Sequence, residues 1–414
     1  MEKYSEYKDS GVKWLGEIPK HWKMQRWRFL MKENTTKNAN CKERLQLQFR
    51  YGDIVRKTNQ SEESDVLDTI SKYTVVNPDD IMINGLNLNY DFVSQRVAQV
   101  QEKGVITSAY ISLRPTELAN SRYFTYFLKS MDAKKMFHGM GTGIRLTLSY
   151  NELKNQFIPC PSSEEQSAIA SFLDTATAKI DAAIAQQQKM IDLLNERKQI
   201  IINNAVTKGL NPNVKMKDSG VEWIGEVPEH WQLLPYRYLF YNLDKLRMPI
   251  TADQRSRNNP QYDYYGASGV IDKIDYYNVD DKVLLIGEDG ANLLLRNLPL
   301  IYKAEGKFWV NNHAHILKPI RDDYDFLAYV MEAADYTLYI TGSAQPKLSQ
   351  SNLNCVKLPI PPISEQKQIV DYLSKRTSKI DEAINESNKM ISLLQERKQI
   401  IINDMVTGKV KICN

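Results

Sequence analysis

Few residues in this 414-residue chain stand at spacings suited to catalysis. The nearest approach to a site for methylating an amino group is Asn259-Pro260-Gln261-Tyr262. Such a site needs an NPPY-like turn and a cofactor-binding half-domain. The second proline is missing and the surrounding segment is too short, so a plain turn is expected. His313 and His315 lie two apart, which on a strand puts both on one face where they could ligate a metal. The chain has only five histidines, and no cysteine or acidic residue stands at a familiar ligand spacing, so a strand facing a partner is expected and no metal. His21 and His230, each followed by Trp, are expected to pack on helices. No GxxxxGKS/T phosphate loop and no glycine-rich dinucleotide fingerprint follows a candidate strand.

The elements that must position the remaining polar residues are laid out twice. Pro159 to Asn203 recurs as Pro359 to Asn403 without a gap, and the block ERKQIIIN is identical from Glu196 and from Glu396. Ile180, Ile184, Ile191, Leu194 and Ile201, with Gln187 and Lys198 in the polar slots, alternate in fours and threes. Ile380, Ile384, Ile391, Leu394 and Ile401, with Ser387 and Lys398, repeat the pattern. That is the narrow apolar seam of a long helix packed on another helix, with Gln187 and Ser387 fixing the register. The prolines before each copy stop what precedes, and Ser163 or Ser364 offers capping chemistry. A helix of about 38 residues would be roughly 57 Å long. Acidic Glu164, Glu165 and Glu365 at the starts and basic Arg197, Lys198, Arg397 and Lys398 near the ends favour antiparallel pairing.

A second repeat has a different offset: KDSGVKWLGEIPKHW (Lys8 to Trp22) returns as KDSGVEWIGEVPEHW (Lys217 to Trp231). Between each tag and the next helix lies a segment of domain length, Lys23 to Phe157 and Gln232 to Leu358. In the first, Tyr73 to Asn84, Phe92 to Val100 and Gly104 to Arg114 read as strands and Leu118 to Phe137 as an amphipathic helix. In the second, Val270 to Tyr277, Lys282 to Gly287 and Lys307 to Pro319 read as strands and Tyr324 to Tyr336 as the helix. Each segment closes with a glycine-containing loop, Met140 to Ser149 or Thr341 to Ser349.

Composition sets the remaining bounds. Hydrophobic content of 42% and charged content of 25% are those of a globular chain. No apolar run is long enough to span a bilayer and no h-region opens the chain, so a cytoplasmic protein with no membrane partner is expected. Cys41, Cys160, Cys355 and Cys413 lack any CxxC spacing. A net charge of +4 neither demands nor excludes nucleic acid.

Two tags of the form KDSGVxWxGExPxHW, two helices ending ERKQIIIN and two unlike domains between them resemble the specificity subunit of a type I restriction-modification system. YYGASGVIDKIDYY, VLLIGEDGANL and NNHAHILKP of the second domain resemble recurring elements of that family's target-recognition domains; the first domain departs from those strings. The resemblance implies an α/β chain: two α/β target-recognition domains separated by two long antiparallel coiled-coil helices with pseudo two-fold symmetry. The expected divisions are 1–157 (tag and first domain), 158–208 (first helix), 209–357 (linker, second tag and second domain) and 358–414 (second helix and tail). It further implies that each domain reads half of a split double-stranded DNA target. The chain itself would be non-catalytic and without cofactor. Two methylation subunits and the restriction subunits would assemble on it, bringing S-adenosylmethionine, ATP and Mg. A stand-alone adenine methyltransferase and a bare coiled-coil scaffold are the other readings.

Asn, Gln, Arg and Lys read base edges, while Ser, Thr and backbone amides hold phosphates. The first domain offers Asn84, Asn87, Asn89, Gln95 and Arg96, with Gly141, Thr142, Gly143 and Arg145 in its closing loop. The second offers Tyr265, Ser268, Asn292, Asn311, Asn312, Gln345 and Lys347. Glycine lets a backbone approach a phosphate closely, which favours the loops as contact sites.

Overall fold

The computed structural model describes residues 2–58, 64–144, 146–251, 253, 255, 260–342 and 345–412, apart from the side chains of 64–66. They form two compact units, Met1–Gln188 with Asn388–Asn414, and Lys189–Ser387.

In the first unit the tag is a hairpin, Tyr7–Asp9 against Glu17–Pro19. Lys23–Arg26 pairs antiparallel with Phe157–Cys160, so the chain enters and leaves the first domain side by side. Between them a four-stranded sheet runs in the order Met31–Glu33, Ile111–Pro115, Ile81–Ile83, Val97–Gln99. The segment expected as one strand from Tyr73 breaks at Asn77 to Asp80, where a tight turn forms. The amphipathic helix of this domain spans Ser121–Ala133: the Asn120 side chain accepts the Tyr123 N–H at its start, and Lys135, in the left-handed region, follows its end. Tyr123, Phe124, Phe127, Leu128 and Met131 form its buried face, in one core with Trp22 and Trp27. Truncating such a buried aromatic typically costs ~3–5 kcal/mol.

The second unit repeats the plan on a larger sheet, in the order Phe240–Asn242, Ala314–Pro319, Val279–Gly287, Ile301–Val310, Tyr262–Gly266, Gly269–Ile274. The strand expected over Lys307 to Pro319 is two strands. The chain reverses at Asn311 to His313, where the Asn311 side chain accepts the His313 N–H. Asp323 caps the Tyr324–Ala333 helix, accepting from Asp325 and Phe326.

Among the described residues the strand pairings are antiparallel except Tyr262–Gly266 with Ile301–Val310. These domains mix helix and strand without alternating βαβ units, because each amphipathic helix follows the strands of its sheet and does not cross between them. This corrects the α/β expectation.

The long helices cover Ser163–Lys208 and Ile363–Val406, 46 and 44 residues. They exceed the expected length because no breaker occurs before Gly209 and Gly408, both at φ +73°. The caps also shift. The Ser162 hydroxyl accepts the Glu165 N–H, and the Pro362 carbonyl accepts the Gln366 N–H, leaving Ser163 and Ser364 inside their helices. The seam residues Ile180, Ile184, Gln187, Ile191, Leu194 and Ile201, and their counterparts Ile380, Ile384, Ser387, Ile391, Leu394 and Ile401, are all buried or half-buried.

Each unit holds one antiparallel stretch of the two helices. In the first, Lys398 pairs with Asp181, while Glu165 and Gly408 both lie against Trp22. In the second, Lys198 pairs with Asp381, while Glu365 and Gly209 lie against Trp231. His21 and His230 bind the same Glu165 and Glu365, at 2.9 and 2.7 Å. Two buried glutamines finish the junctions. Gln166 Oε1 accepts the Asn120 N–H and Gln366 Oε1 accepts the Asp323 N–H, tying each long helix to the start of the amphipathic helix of its domain.

Candidate nucleic-acid interface

In both units the closing loop is laced to the segment that leaves a central strand. In the first, the Leu148 N–H donates to the Gly85 carbonyl and the Leu88 N–H to the Leu146 carbonyl, 2.9 and 3.1 Å. Gly85 is obligatory, since a Cβ there would meet the Leu148 oxygen at 2.5 Å. In the second, the Leu348 N–H donates to Glu288 and the Gly290 N–H to Pro346, 2.9 and 2.7 Å. Each loop then ends in a serine cap, Ser149 or Ser349, of a short helix.

Several first-domain candidates are exposed on the laced segments. Asn87, Gln95, Thr142 and Gly143 are exposed, with Gly141 half-buried beside them. Asn89 donates to the Ile144 carbonyl at 3.3 Å, and Asn84 accepts the Leu86 N–H, so both side chains shape the loops. Arg145 lies outside the described residues, as does Asn259. Arg96 corrects the expectation: it is fully buried, and its guanidinium donates to the carbonyls of Asn84, Leu86 and Asp91 at 2.7–3.0 Å. It fixes the loop from below and is not exposed at the surface. Asp91 beside it is drawn down to about 2 by hydrogen bonds from Ser94, helped by Val93 and Arg96.

In the second domain Ser268, Asn312, Gln345 and Lys347 are exposed. Tyr265 and Asn311 are buried, Tyr265 against Phe308 and Asn311 inside its own turn, so neither is a surface contact. Asn292 is tied to Leu298 and Pro299. His313 sits in the turn before the strand that carries His315, so the two do not share a strand face as expected.

Several residues escaped sequence reasoning. Arg50 stacks on the exposed Tyr51 at the tip of a hairpin whose Gly52 meets the Gln95 side chain. Arg247 donates to the Asn312 carbonyl and to Glu288, bracing the second loop. The RYGD turn was a usable signal for the first; nothing local marks the second.

The model of the type I restriction modification DNA specificity domain matches residues 54–191 and 240–391, more than half of the chain. The chain belongs to the type I restriction-modification DNA specificity domain family. Both copies of the specificity domain include the amphipathic helix of the domain, a closing loop and part of a long helix. Curated relatives include two Methanocaldococcus jannaschii proteins. One is the type I restriction enzyme MjaVIII specificity subunit, 24% identical over 83% of this chain and 82% of its own. The other is the putative type I restriction enzyme MjaX specificity subunit, 25% identical over 70% and 68%. A chain of the solved structure described as "Structural basis underlying complex assembly and conformational transition of the type I R-M system" has the same fold. Its TM-score is 0.69 at 12% identity, covering 95% of this chain and 99% of that one.

Proposed function

We propose that the chain is the non-catalytic DNA-reading and assembly subunit of a type I restriction-modification complex, working in the cytoplasm. Each specificity domain reads one half of a split duplex target through its closing loop and the segment laced to it. The paired helices, repeated in sequence about a pseudo two-fold axis, set the unread gap and carry two methylation subunits and the restriction subunits. S-adenosylmethionine, ATP and Mg belong to those partners. The observation that carries this reading is the recurrence, in two otherwise unlike domains, of one laced-loop design that exposes Asn87, Gln95 and Thr142 in one and Asn312, Gln345 and Lys347 in the other.

The test is to map methylated adenines in cells expressing the chain with its methylation partners. A split sequence is expected, with Gln95→Ala relaxing one half and Lys347→Ala the other by roughly 1–3 kcal/mol. S-adenosylmethionine binding and methylation by the chain alone would show an enzyme instead. Methylation indifferent to both substitutions and to sequence would leave only a scaffold.

A further inference from the structure

Beneath the second closing loop lies a buried charged pair that base reading does not account for. His315 is 1% exposed. Its Nδ1 is 2.6 Å from Asp244 Oδ2 and its Nε2 is 2.8 Å from the Leu348 carbonyl oxygen. A carbonyl only accepts, and so does the Asp244 carboxylate, whose other oxygen takes the Ile316 N–H at 2.8 Å. Both ring nitrogens therefore donate, which makes the ring an imidazolium. Leu348 is thus gripped at both backbone groups, its N–H by Glu288 and its C=O by His315, one residue from Lys347 and three from Gln345.

At the matching place among its described residues the first domain carries no imidazole. His315 faces Ile286 across its sheet, and the matching register position, facing Ile83, is Ile111. There a Cβ on Gly85 would meet the Leu148 oxygen, and the domain's own histidine, His138, meets the Asp91 carbonyl at 3.1 Å instead.

We propose that His315 is a positioning residue for the second half-site: its charge holds the Gln345–Leu348 stretch in reading shape, so that recognition of this half-site alone weakens as the ring deprotonates. The inference rests on the DNA-reading function proposed above.

The surrounding charges give the sign. Burial pushes the His315 ring down, but the hydrogen bond and charge of Asp244, with the Leu348 carbonyl, outweigh burial and leave it above its ordinary value. Burial pushes Asp244 up, but His315, Ile316 and Asn242 hold it below the usual carboxylate range. Arg247 lies 3.7 Å from Asp244 and opposes the imidazolium, yet it is also engaged by Glu288 at 3.2 Å. Asp289 bridges to Lys347 through the backbone and faces the exposed His313 ring at 3.7 Å. A histidine with a raised folded value contributes fully below its unfolded value of about 6.5 and loses that contribution as pH climbs through the folded value.

The experiment uses the full chain with its methylation subunits and the duplex returned by methylation mapping, together with duplexes in which one half-site at a time is scrambled. Affinity ratios of intact to scrambled duplex, from about pH 6 to about pH 9, cancel general charge effects on DNA binding. The ratio for the second half-site should fall roughly tenfold, the size of one charge-assisted hydrogen bond, while that for the first stays level. His315→Gln, which keeps one donor for Leu348, should give a flat and lowered second ratio, and His313→Ala should keep the pH dependence. Equal pH slopes in the two ratios, or a slope that persists in His315→Gln, overturn the proposal. Should that variant fail to fold, the wild-type comparison of half-sites still decides. Absence of half-site discrimination at any pH would instead overturn the DNA-reading function, and this inference with it.

Discussion

Lys398 Nζ lies 2.7 Å from each carboxylate oxygen of Asp181. The repeat-related pair, Lys198 with Asp381, stands at 2.7 and 2.9 Å. Residues 17 positions apart in the repeated sequence meet only if the helices run antiparallel, so these pairs fix direction where the apolar seam fixes only the face. Because the pairs are partly exposed, their contribution to stability is small.

A double-mutant cycle on Asp181→Ala and Lys398→Ala should therefore give a coupling of about 0.3–1 kcal/mol in urea unfolding. The reversed pair, Asp181→Lys with Lys398→Asp, should recover most of what either reversal alone loses. Zero coupling together with no recovery would remove the pair as a register device.

Length is the second property of these helices to test. Deleting the heptads Lys189 to Asn195 and Lys389 to Gln395 together keeps both lysine–aspartate pairs and the heptad phase. Methylation mapping should then return both half-sites unchanged with a shorter gap, since a heptad removes about 10 Å of helix. An unchanged gap with altered half-sites would refute the ruler.

Arg96→Ala should cost about 2–3 kcal/mol, because it removes the donors to three half-buried carbonyls. Denaturant unfolding should show the loss, while the folded fraction keeps its salt dependence of DNA binding. Wild-type stability with a changed first half-site would instead make Arg96 a reading residue.

The segment after Lys409 returns to the tag. The Lys411 N–H donates to the Glu2 carbonyl at 2.9 Å, and Tyr7 donates to the Lys409 carbonyl at 3.1 Å. In the second unit the chain runs from Lys208 through Gly209 and Asn211 into the equivalent tag without interruption. A circular permutant joined between residues 414 and 1 by a short linker and opened near Asn211 should keep its methylation target. A half-chain from Lys217 to Asn414 should dimerise and direct methylation of a symmetric site built from the second half-site. A dead permutant and a monomeric, inactive half-chain would refute the circular plan.

The sequence by itself determined the long helices, their seam, the tags and the two closing loops. These rest on local periodicity, on repetition and on glycine and proline, all of which act within a few residues. Of the polar residues it singled out, Asn87 and Gln95 in the first domain and Lys347 in the second are exposed. Only the tertiary structure decided which polar residues turn inward. Arg96 and Asn311 look like surface readers in the sequence, but strand register and the loops folded over them make them internal braces. His315 was one of two histidines on a strand until Asp244, 71 residues earlier, and Leu348, 33 residues later, closed on it. Contacts at that separation depend on how strands order in the sheet, and neighbouring residues carry no signal of that order.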